Sequence, residues 1–469
     1  MKGIIFILCL IFSLRLTAQN PNIKRTWHWY FGYGAGIDFS TGSAVADTNG
    51  QLHTYEGTAA ISDTVGDLLF YTDGDSVWDR NHNIMPNGYG LFGCGNFGST
   101  SQATVIIPYP NHNNQYLIIT NDCAANSGVS GLCYTVVNML LNSGNGDVDT
   151  NQKNVLLFAA GTEGLAVTYQ CNKNFYWIVA HEYNNNNFRV YSLDSNGINL
   201  VPQIISIGST YTHRFSMLKF SSDGRKLATT YRHFATYDLA MLFDFNTQSG
   251  LITNGIQLTG FLSGGIYSPE FSIDNTKLYY NDANTDILQY DIQSGVDTII
   301  NNSRIIVSHN SNSSYGYFQK APDGKIYIAT YNADSLSTIE APNINGIGCN
   351  VNPMSFYLAR NAWSGVPCFV ADYFFQGPMT TSCDTSGISD RENVDIKIFP
   401  NPATDCIYIE GEDIYSVSLF NILGNIIYWG NMRSFEGQQK LNISPINPGI
   451  YLLKIETKNK IITKKIFIN

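Results

Sequence analysis

Short apolar segments with a period of two recur along most of the chain, separated by turns of Asp, Asn and Gly. Alternation of this kind is typical of β-strands, and such turns join strands into hairpins. Long stretches rich in Ala, Leu, Glu and Lys, which favour helices, are scarce. Hairpins are predicted at residues 59–72, 105–120, 167–180, 218–230, 269–280 and 318–330. The pattern predicts an all-β fold.

These hairpins recur at intervals of 49 to 60 residues, which leaves room for two more strands in each repeat. Four short antiparallel strands per unit are typical of a β-propeller blade, and blades must stack into a closed ring to cover their faces and edges. Residues 27–42 and 367–375 resemble strands without a complete unit. We interpret them as two halves of a closing blade, which gives a seven-bladed β-propeller over residues 19–376. A six-bladed ring closed by hydrogen bonds is the alternative.

A second domain is predicted at the C-terminal end. Residues 377–394 are polar and predict a linker. Period-two alternation resumes over residues 395–469, a length that suits a small β-sandwich of the Ig-like kind.

The first residues have the pattern of a secretory signal peptide. Lys2 precedes an apolar run that ends in the small-residue site Leu16-Thr17-Ala18, so residues 1–18 are expected to be removed on export. No later stretch approaches the ~20 apolar residues of a membrane span. The formal net charge of −10 disfavours nucleic acid and anionic lipid as partners.

Eight cysteines lie outside the signal peptide. An even number of cysteines in an exported chain predicts disulfides, although spacing alone leaves the connectivity open. The favoured pairs close short loops, namely Cys123–Cys133 and Cys349–Cys368. No CxxC motif and no zinc-type spacing of Cys and His occurs.

In a propeller, the residues that begin the innermost strands surround the mouth of the central channel. Acids, bases and aromatic rings meeting there predict a site for a small polar ligand or a glycan. The alternative is that these positions are polar only because water fills the channel, with Glu56 or Glu163 paired to Arg214. The candidate residues are Glu56, Glu163, His213, Arg214, Tyr267 and Tyr315.

One acidic segment offers a metal hypothesis. Asp73, Asp75 and Asp79 supply the oxygen density that structural calcium prefers, but Asp-Gly is also a common hairpin turn, so both interpretations stay open. No other cofactor is expected. Since no zincin motif, GxSxG elbow or diagnostic carboxylate pair occurs, no catalytic residue is assigned.

The propeller segment resembles known families. The phrases FSSDGRKLA and APDGKIYIA resemble WD40-like and lactonase-type propellers. The WYFG-type opening WHWYFGYGAGIDFSTG (27–42), followed by residues 56–88, resembles a family of exported Bacteroidetes surface proteins. This resemblance implies an extracellular location and gives no activity.

The final segment closely resembles the type A C-terminal sorting domain of the type IX secretion system. The resemblance depends on FPNPATD, FNILG, PGIYLLKI and the closing KKIFIN. It implies that a translocon recognises this domain, that the passenger crosses the outer membrane, and that the tail is commonly removed before release or surface attachment. The sorting-motif residues are Pro400, Asn401, Pro402, Gly424, Gly449 and Tyr451.

Three functions are compatible with the sequence. The first is a secreted or cell-surface propeller, without catalysis of its own, that binds a glycan or a protein; it predicts an exposed aromatic patch on one face. The second is a lactonase- or lyase-like enzyme at the channel mouth, which requires Glu56, Glu163, His213 and Arg214 around one accessible cavity. The third is a structural module of a surface assembly.

Overall fold

The computed structural model describes most of the mature chain. The described residues are 20–94, 99–170, 175–232, 238–261, 265–282, 285–310, 314–376, 396–411, 414–421, 425–431, 438–457 and 461–469. The predicted signal peptide, the predicted linker and Gly424 lie outside them.

Within the described residues the protein is all-β, and its strands form antiparallel sheets. The first two sheets contain β1 (His28–Phe31), β2 (Ala35–Asp38) and β3 (Val45–Asp47), and β4 (Ala59–Ser62), β5 (Leu68–Thr72), β6 (Ser76–Asp79) and β7 (Ile84–Tyr89). The third contains β8 (Thr104–Pro108), β9 (Gln115–Asn121), β10 (Leu132–Asn138), β11 (Asp147–Val148) and β12 (Val155–Phe158). The fourth contains β13 (Gly161–Tyr169), β14 (Tyr176–Glu182), β15 (Asn187–Asp194), β16 (Gly197–Ile198) and β17 (Gln203–Ser206).

Three further sheets follow. They contain β18 (Ser216–Phe220), β19 (Lys226–Tyr231), β20 (Leu239–Phe245) and β21 (Ile252–Leu258); β22 (Pro269–Phe271), β23 (Lys277–Asp282), β24 (Asp286–Asp291) and β25 (Ile305–His309); and β26 (Tyr315–Lys320), β27 (Ile326–Thr330), β28 (Ser335–Ile339) and β29 (Val351–Tyr357). One α-helix, α1 (Asp297–Asn302), connects β24 to β25. The 3-10 helices are Pro21–Thr26, Asn142–Gly144, Thr150–Gln152, Gly346–Cys349 and Ala371–Phe374.

The six hairpins predicted from the sequence are confirmed as the first two strands of six of these sheets. Each first strand is largely buried, whereas the outer strands are partly exposed, as β18 and β21 show. The first strands therefore lie innermost. We name the end of the ring where they begin the mouth face, and the opposite end, where they enter their first hairpin turn, the turn face.

Contacts between innermost strands join the sheets in chain order. β4 contacts β8, β8 contacts β13, β13 contacts β18, β18 contacts β22, and β22 contacts β26. The first sheet completes the circuit because β1 contacts β4, while Trp29 and Phe31 share a core cluster with Tyr317 and Tyr327 of the last sheet. This closed succession of sheets is the arrangement of a β-propeller.

The closing segment differs in part from the prediction. The predicted strands in 27–42 are confirmed as β1 and β2, but 367–375 is not a strand. Pro367 forms one isolated bridge with Thr58, and the 3-10 helix Ala371–Phe374 follows. Phe374 packs into a core cluster. An apolar run this short is compatible with a strand or a helix, and burial of Phe374 against the cluster favours the helix.

The chain enters and leaves the ring at the same place. Asn20 Nδ2 donates to the carbonyl oxygen of Asp372 at 2.8 Å, which joins the first 3-10 helix to the last. Arg25 donates to the carbonyl of Ser62, where β4 enters its turn. Both ends of the propeller chain therefore lie on the turn face.

The C-terminal region forms two facing sheets. Its strands are β30 (Lys397–Phe399), β31 (Cys406–Glu410), β32 (Ile414–Asn421), β33 (Ile426–Asn431), β34 (Gln438–Asn442), β35 (Gly449–Thr457) and β36 (Ile461–Ile468). β30, β31 and β34 make one sheet, and the order β33-β32-β35-β36 makes the other. Ile407 and Leu441 from the first sheet pack against Leu419 and Leu453 from the second. The region is therefore a β-sandwich.

The disulfide predictions are wrong. Cys94 and Cys123 form the disulfide, with Cα atoms 5.1 Å apart, whereas Cys133, Cys349 and Cys368 are free thiols. Cys133 lies within β10 while Cys123 lies beyond the end of β9, so the two do not face each other. Proximity in sequence misled the prediction because strand pairing carries Cys123 toward a loop from the preceding sheet.

The second predicted pair is separated by the packing of the last sheet. Cys349 is buried in a cluster with Tyr279 and Ile339, and Cys368 lines the central channel beside Lys219 and Lys320. The two thiols therefore belong to different parts of the interior.

Candidate functional site

Glu163 lies at the centre of the mouth face, fully buried in β13. Its Oε2 accepts hydrogen bonds from the Ser101 backbone N–H (2.9 Å) and hydroxyl (2.6 Å), and its Oε1 accepts from the N–H of Ala124 (2.7 Å). Burial, together with the nearby Glu56 carboxylate, raises the pKa of Glu163 to about 8. This carboxyl group holds two loops of the third sheet against the fourth.

Glu56 is the second buried acid of the mouth face. Its Oε1 accepts a hydrogen bond from the Tyr267 hydroxyl at 2.9 Å, while among the described residues its Oε2 is buried without a partner. The Tyr317 ring stacks on Tyr267 at 5.2 Å, and its hydroxyl is likewise buried and unpartnered. Burial raises the pKa of Glu56. The site therefore keeps unused hydrogen-bonding capacity below the surface.

The two acids predict a pH-dependent stability. Because burial raises both pKa values, the folded state binds more protons than the unfolded state above the ordinary glutamate pKa of 4.5, up to about 8 for Glu163. The unfolding free energy should therefore fall as pH rises through this window. Glu56→Gln keeps an acceptor for Tyr267 and removes one acid, so the fall should become smaller. Urea unfolding at a series of pH values measures it.

Partial burial alone would raise the pKa of Glu340, but the hydrogen bond and charge of Lys325 outweigh it and lower this pKa. Glu340→Gln is therefore the matched control. Its titration lies below the window, so this variant should keep the wild-type slope. An unchanged slope in Glu56→Gln would contradict the assignment of the pH dependence to this pair.

The other predicted mouth residues take different roles. Arg214 donates to the carbonyl of Gly161 and its guanidinium lies 4.2 Å from the Tyr183 ring centroid. In the described part of the chain it forms no ion pair with either glutamate. His213 is half-buried beside it. Tyr315 is buried, with its hydroxyl 3.1 Å from Ser308 Oγ. The structure thus brings together Glu56, Glu163 and Tyr267 and leaves the others apart.

An exposed aromatic cluster, which we name the aromatic patch, lies on the mouth face. Trp363 is its centre, with ring centroids 5.3 Å from Tyr33, 4.6 Å from Tyr55 and 5.4 Å from Tyr331. His53 stacks on Tyr33 at 4.9 Å. Tyr55 is 40% and Tyr331 56% exposed. The indole Nε1 of Trp363 has no hydrogen-bond partner among the described residues. The patch therefore presents ring faces to solvent, while the Nε1 of Trp363 is buried.

Sequence reasoning missed most of this patch. Tyr33, Tyr331 and Trp363 were not singled out, nor were Ser101 and Tyr317 below it. A signal was available: an aromatic residue stands directly after the second strand of two repeats, Tyr331 after β27 and Tyr183 after β14. Comparing this position across repeats would have indicated the patch.

The predicted calcium ligands cap turns. Asp73 Oδ1 accepts from the backbone N–H groups of Asp75 (2.9 Å) and Ser76 (2.8 Å), and Asp79 Oδ1 accepts from those of Asn81 and Asn83. Burial raises the pKa of Asp73 to about 6. The described residues contain no group of three His, Cys, Asp or Glu side chains suited to a metal ion. These bonds support the turn interpretation, and calcium stays a prediction.

The central channel is narrow. A cavity of about 20 Å³ lies between β13, β18 and β26, with room for roughly one water molecule. Phe369 and Phe374 line it on the side of the closing helix. Beside it, Glu270 pairs with Lys219 at 3.0 Å and with Lys320 at 3.4 Å.

The two ends of the sorting motif meet in the sandwich. The Asn401 side chain, between Pro400 and Pro402, donates to the carbonyl of Lys465 (2.9 Å) and accepts from the N–H of Phe467 (2.8 Å). Asn401 therefore fastens the FPNP segment to the last strand.

The start of β35 supplies the other described motif residues. Gly449 begins this strand, and the Tyr451 hydroxyl donates to the carbonyl of Asn447 at 2.7 Å. None of the described helices is long and apolar enough to cross a membrane.

Comparison with known proteins identifies the C-terminal region. Residues 397–469 match the family described as "Secretion system C-terminal sorting domain". No curated protein matches the chain. Similar solved structures include a quinonprotein alcohol dehydrogenase-like protein from Bacteroides thetaiotaomicron, with TM-score 0.38, 12% identity, and coverage of 72% of this chain and 75% of that chain.

Another is the β-propeller domain of Cps50 (Swd1) from Myceliophteria thermophila, with TM-score 0.38, 10% identity, and coverage of 65% of this chain and 94% of that chain. Likenesses this distant carry no argument about activity, and the propeller arrangement rests on the strand pairing and contacts above. The sorting domain, in contrast, is matched directly. Residues 397–469 indicate that the protein is exported by the type IX secretion system to the cell surface or the medium.

Proposed function

We propose that this protein is an exported Bacteroidetes β-propeller that binds a glycan or a protein at its aromatic patch and has no catalysis of its own. In this proposal a signal peptide (1–18) precedes a propeller (19–376), a linker (377–394) and an Ig-like sorting sandwich (395–469). The sorting-domain match and the exposed rings of the mouth face support it.

We count seven blades in this propeller. The described residues form seven antiparallel sheets before the sandwich, and the first has only three strands. Residues 364–368 lie at its inner edge: the Cys368 N–H donates to the Thr58 carbonyl at 2.7 Å, and the Tyr317 N–H donates to the Ser364 carbonyl at 2.9 Å. This segment takes the place of the missing innermost strand.

The aromatic patch is the observation that carries the binding proposal. Large apolar side chains are costly to expose, and an exposed cluster of them is typical of an interaction surface. Tyr and Trp rings combine a flat apolar face with a polar edge, which suits the apolar face of a sugar ring and its hydroxyl groups. With the rings of Tyr55 and Tyr331 exposed, the patch offers both kinds of contact. A neutral glycan suits it best because the protein itself is acidic.

The geometry of the acids favours binding over proton transfer. Both Glu163 oxygens already accept hydrogen bonds from Ser101 and Ala124. Arg214 is directed to Gly161 and Tyr183. A lactonase- or lyase-like mechanism at the channel mouth would need these groups free and convergent on one substrate.

Substitution in the patch tests the proposal. The mature protein should bind neutral oligosaccharides on a glycan array, and Trp363→Ala should weaken the strongest interaction about tenfold or more, since buried aromatic anchors carry most of the energy of such sites. Tyr331→Ala, which removes a more exposed ring, should have a smaller effect in the same direction. Calorimetric titration with the best array ligand measures both.

Tyr357→Ala is the control because Tyr357 is 64% exposed at the end of the outer strand β29 and, among the described residues, has no ring contact with Trp363. It should bind like the wild type. If no glycan binds, or if the patch variants keep wild-type affinity, glycan recognition at this face is excluded, and a structural role in a surface assembly becomes the better account.

A further inference from the structure

A second concave site lies on the turn face, opposite the aromatic patch. It has a volume of about 940 Å³, within the range of small-molecule sites. The β8–β9 turn with Tyr109 and His112 forms one wall, the ends of β13 and β14 with Tyr176 form another, and Asp194 lies at the rim. Arg25, from the N-terminal 3-10 helix, also lines it. The aromatic patch shares none of these residues.

Arg25 gives this cavity a positive charge that is not held in an ion pair within the described residues. Its Nε donates to Asn22 Oδ1 at 3.1 Å and its Nη1 makes a long contact of 3.5 Å to the carbonyl of Ser62. No carboxylate among the described residues lies within ion-pair distance of it. A half-buried guanidinium with spare donors, beside the hydroxyl-bearing Tyr116 and Tyr176, is suited to an anion and best to the two oxygens of a carboxylate.

A pair of rings in contact, tilted by 32°, lies in the same cavity. The ring centroids of Tyr109 and His112 are 4.1 Å apart. His112 is fixed in place because its Nε2 donates to the carbonyl of Ser195 at 2.8 Å, which also ties the β8–β9 turn to the turn after β15. A held pair of rings is a platform on which a sugar ring can stack.

We propose that this cavity binds an acidic sugar, a uronic acid within a glycan chain. Its carboxylate pairs with Arg25 and its ring packs on the Tyr109–His112 pair. Asp194 lies in the same cavity and accepts hydrogen bonds from sugar hydroxyl groups. The charge of Asp194 and the net charge of −10 disfavour densely charged polyanions. The site selects a carbohydrate with a single carboxylate per sugar over nucleic acid. It is independent of the aromatic patch.

Calorimetry on the mature chain (19–469) tests this proposal. The probe is a hexasaccharide of alternating glucuronic acid and N-acetylglucosamine, compared with the same hexasaccharide after reduction of its carboxyl groups to alcohols. The acidic form should bind with a Kd below about 1 mM, and the reduced form about tenfold more weakly, as expected for loss of one charge-assisted bidentate contact.

Four variants locate the site. Arg25→Gln should weaken binding of the acidic probe about tenfold and leave the reduced probe unchanged. Tyr109→Ala should weaken both probes equally. Arg304→Gln, which removes the same charge at an exposed position of the sixth sheet, should bind like the wild type. Trp363→Ala should also leave this binding unchanged, which separates the site from the aromatic patch.

Equal affinity of the wild type for both probes, no binding of the acidic probe, or wild-type affinity of a folded Arg25→Gln protein would overturn the proposal. If Arg25→Gln does not fold, the comparison of the two probes on the wild type and on Tyr109→Ala still decides it.

Discussion

Removal of residues 395–469 should abolish display of the protein on the cell surface and leave the propeller in the periplasm. The family match to a sorting domain covers residues 397–469, so the truncation removes the matched domain. The propeller should still fold, because the sandwich core is a separate cluster from those of the ring. Surface protease accessibility and periplasmic fractionation of the truncated chain measure the effect.

The reciprocal experiment is the control. Residues 377–469 fused to a periplasmic reporter that carries a signal peptide should bring the reporter to the surface or the medium. Surface display of the truncated chain, or retention of the fused reporter in the periplasm, would contradict the assignment of the sorting signal to this segment.

The largest expected loss of stability follows from Glu270→Gln. Glu270 is fully buried, and its carboxylate balances Lys320, which is also buried, and Lys219. Breaking a buried ion pair by removing one partner costs about 3–5 kcal/mol because it leaves a charge without compensation. Burial lowers the pKa of Lys320 even with Glu270 present, so the loss should become smaller at alkaline pH, where this amine gives up its proton. Urea unfolding measures it.

Asp244→Asn provides the comparison. It breaks the Lys226–Asp244 pair, whose side chains are partly exposed, and such pairs are worth less than about 1 kcal/mol. A Glu270→Gln protein as stable as Asp244→Asn would mean that the buried amines find other partners or lose their protons without cost.

The repeat could be predicted because the strands and turns of one blade are local in sequence. The short strands β18 and β19 are buried almost throughout, and Asp223-Gly224 marks the turn between them. The closing segment was harder because its conformation depends on distant neighbours. Residues 371–374 are helical since Tyr373 and Phe374 are buried against strands of other sheets.

The site on the mouth face was predicted in part because the repeat is local in sequence. Repeat register placed Glu56, Glu163 and Tyr267 at the start of innermost strands, and the structure brings these three together. Register gives the position of a residue but not the direction of a long side chain, so it could not show that Arg214 packs on Tyr183. The prediction of the disulfide was wrong for a similar reason, since Cys94 meets Cys123 only through the packing of two sheets.

The hydrogen bond between Asn20 and Asp372 determines which face a surface-attached form of the protein turns outward. The chain leaves the ring toward the sorting domain beside the first residues of the ring. Any attachment made through that end therefore holds the propeller at its turn face. The rings around Trp363 then lie at the end of the ring away from that attachment, and the cavity lined by Arg25 lies at the attached end.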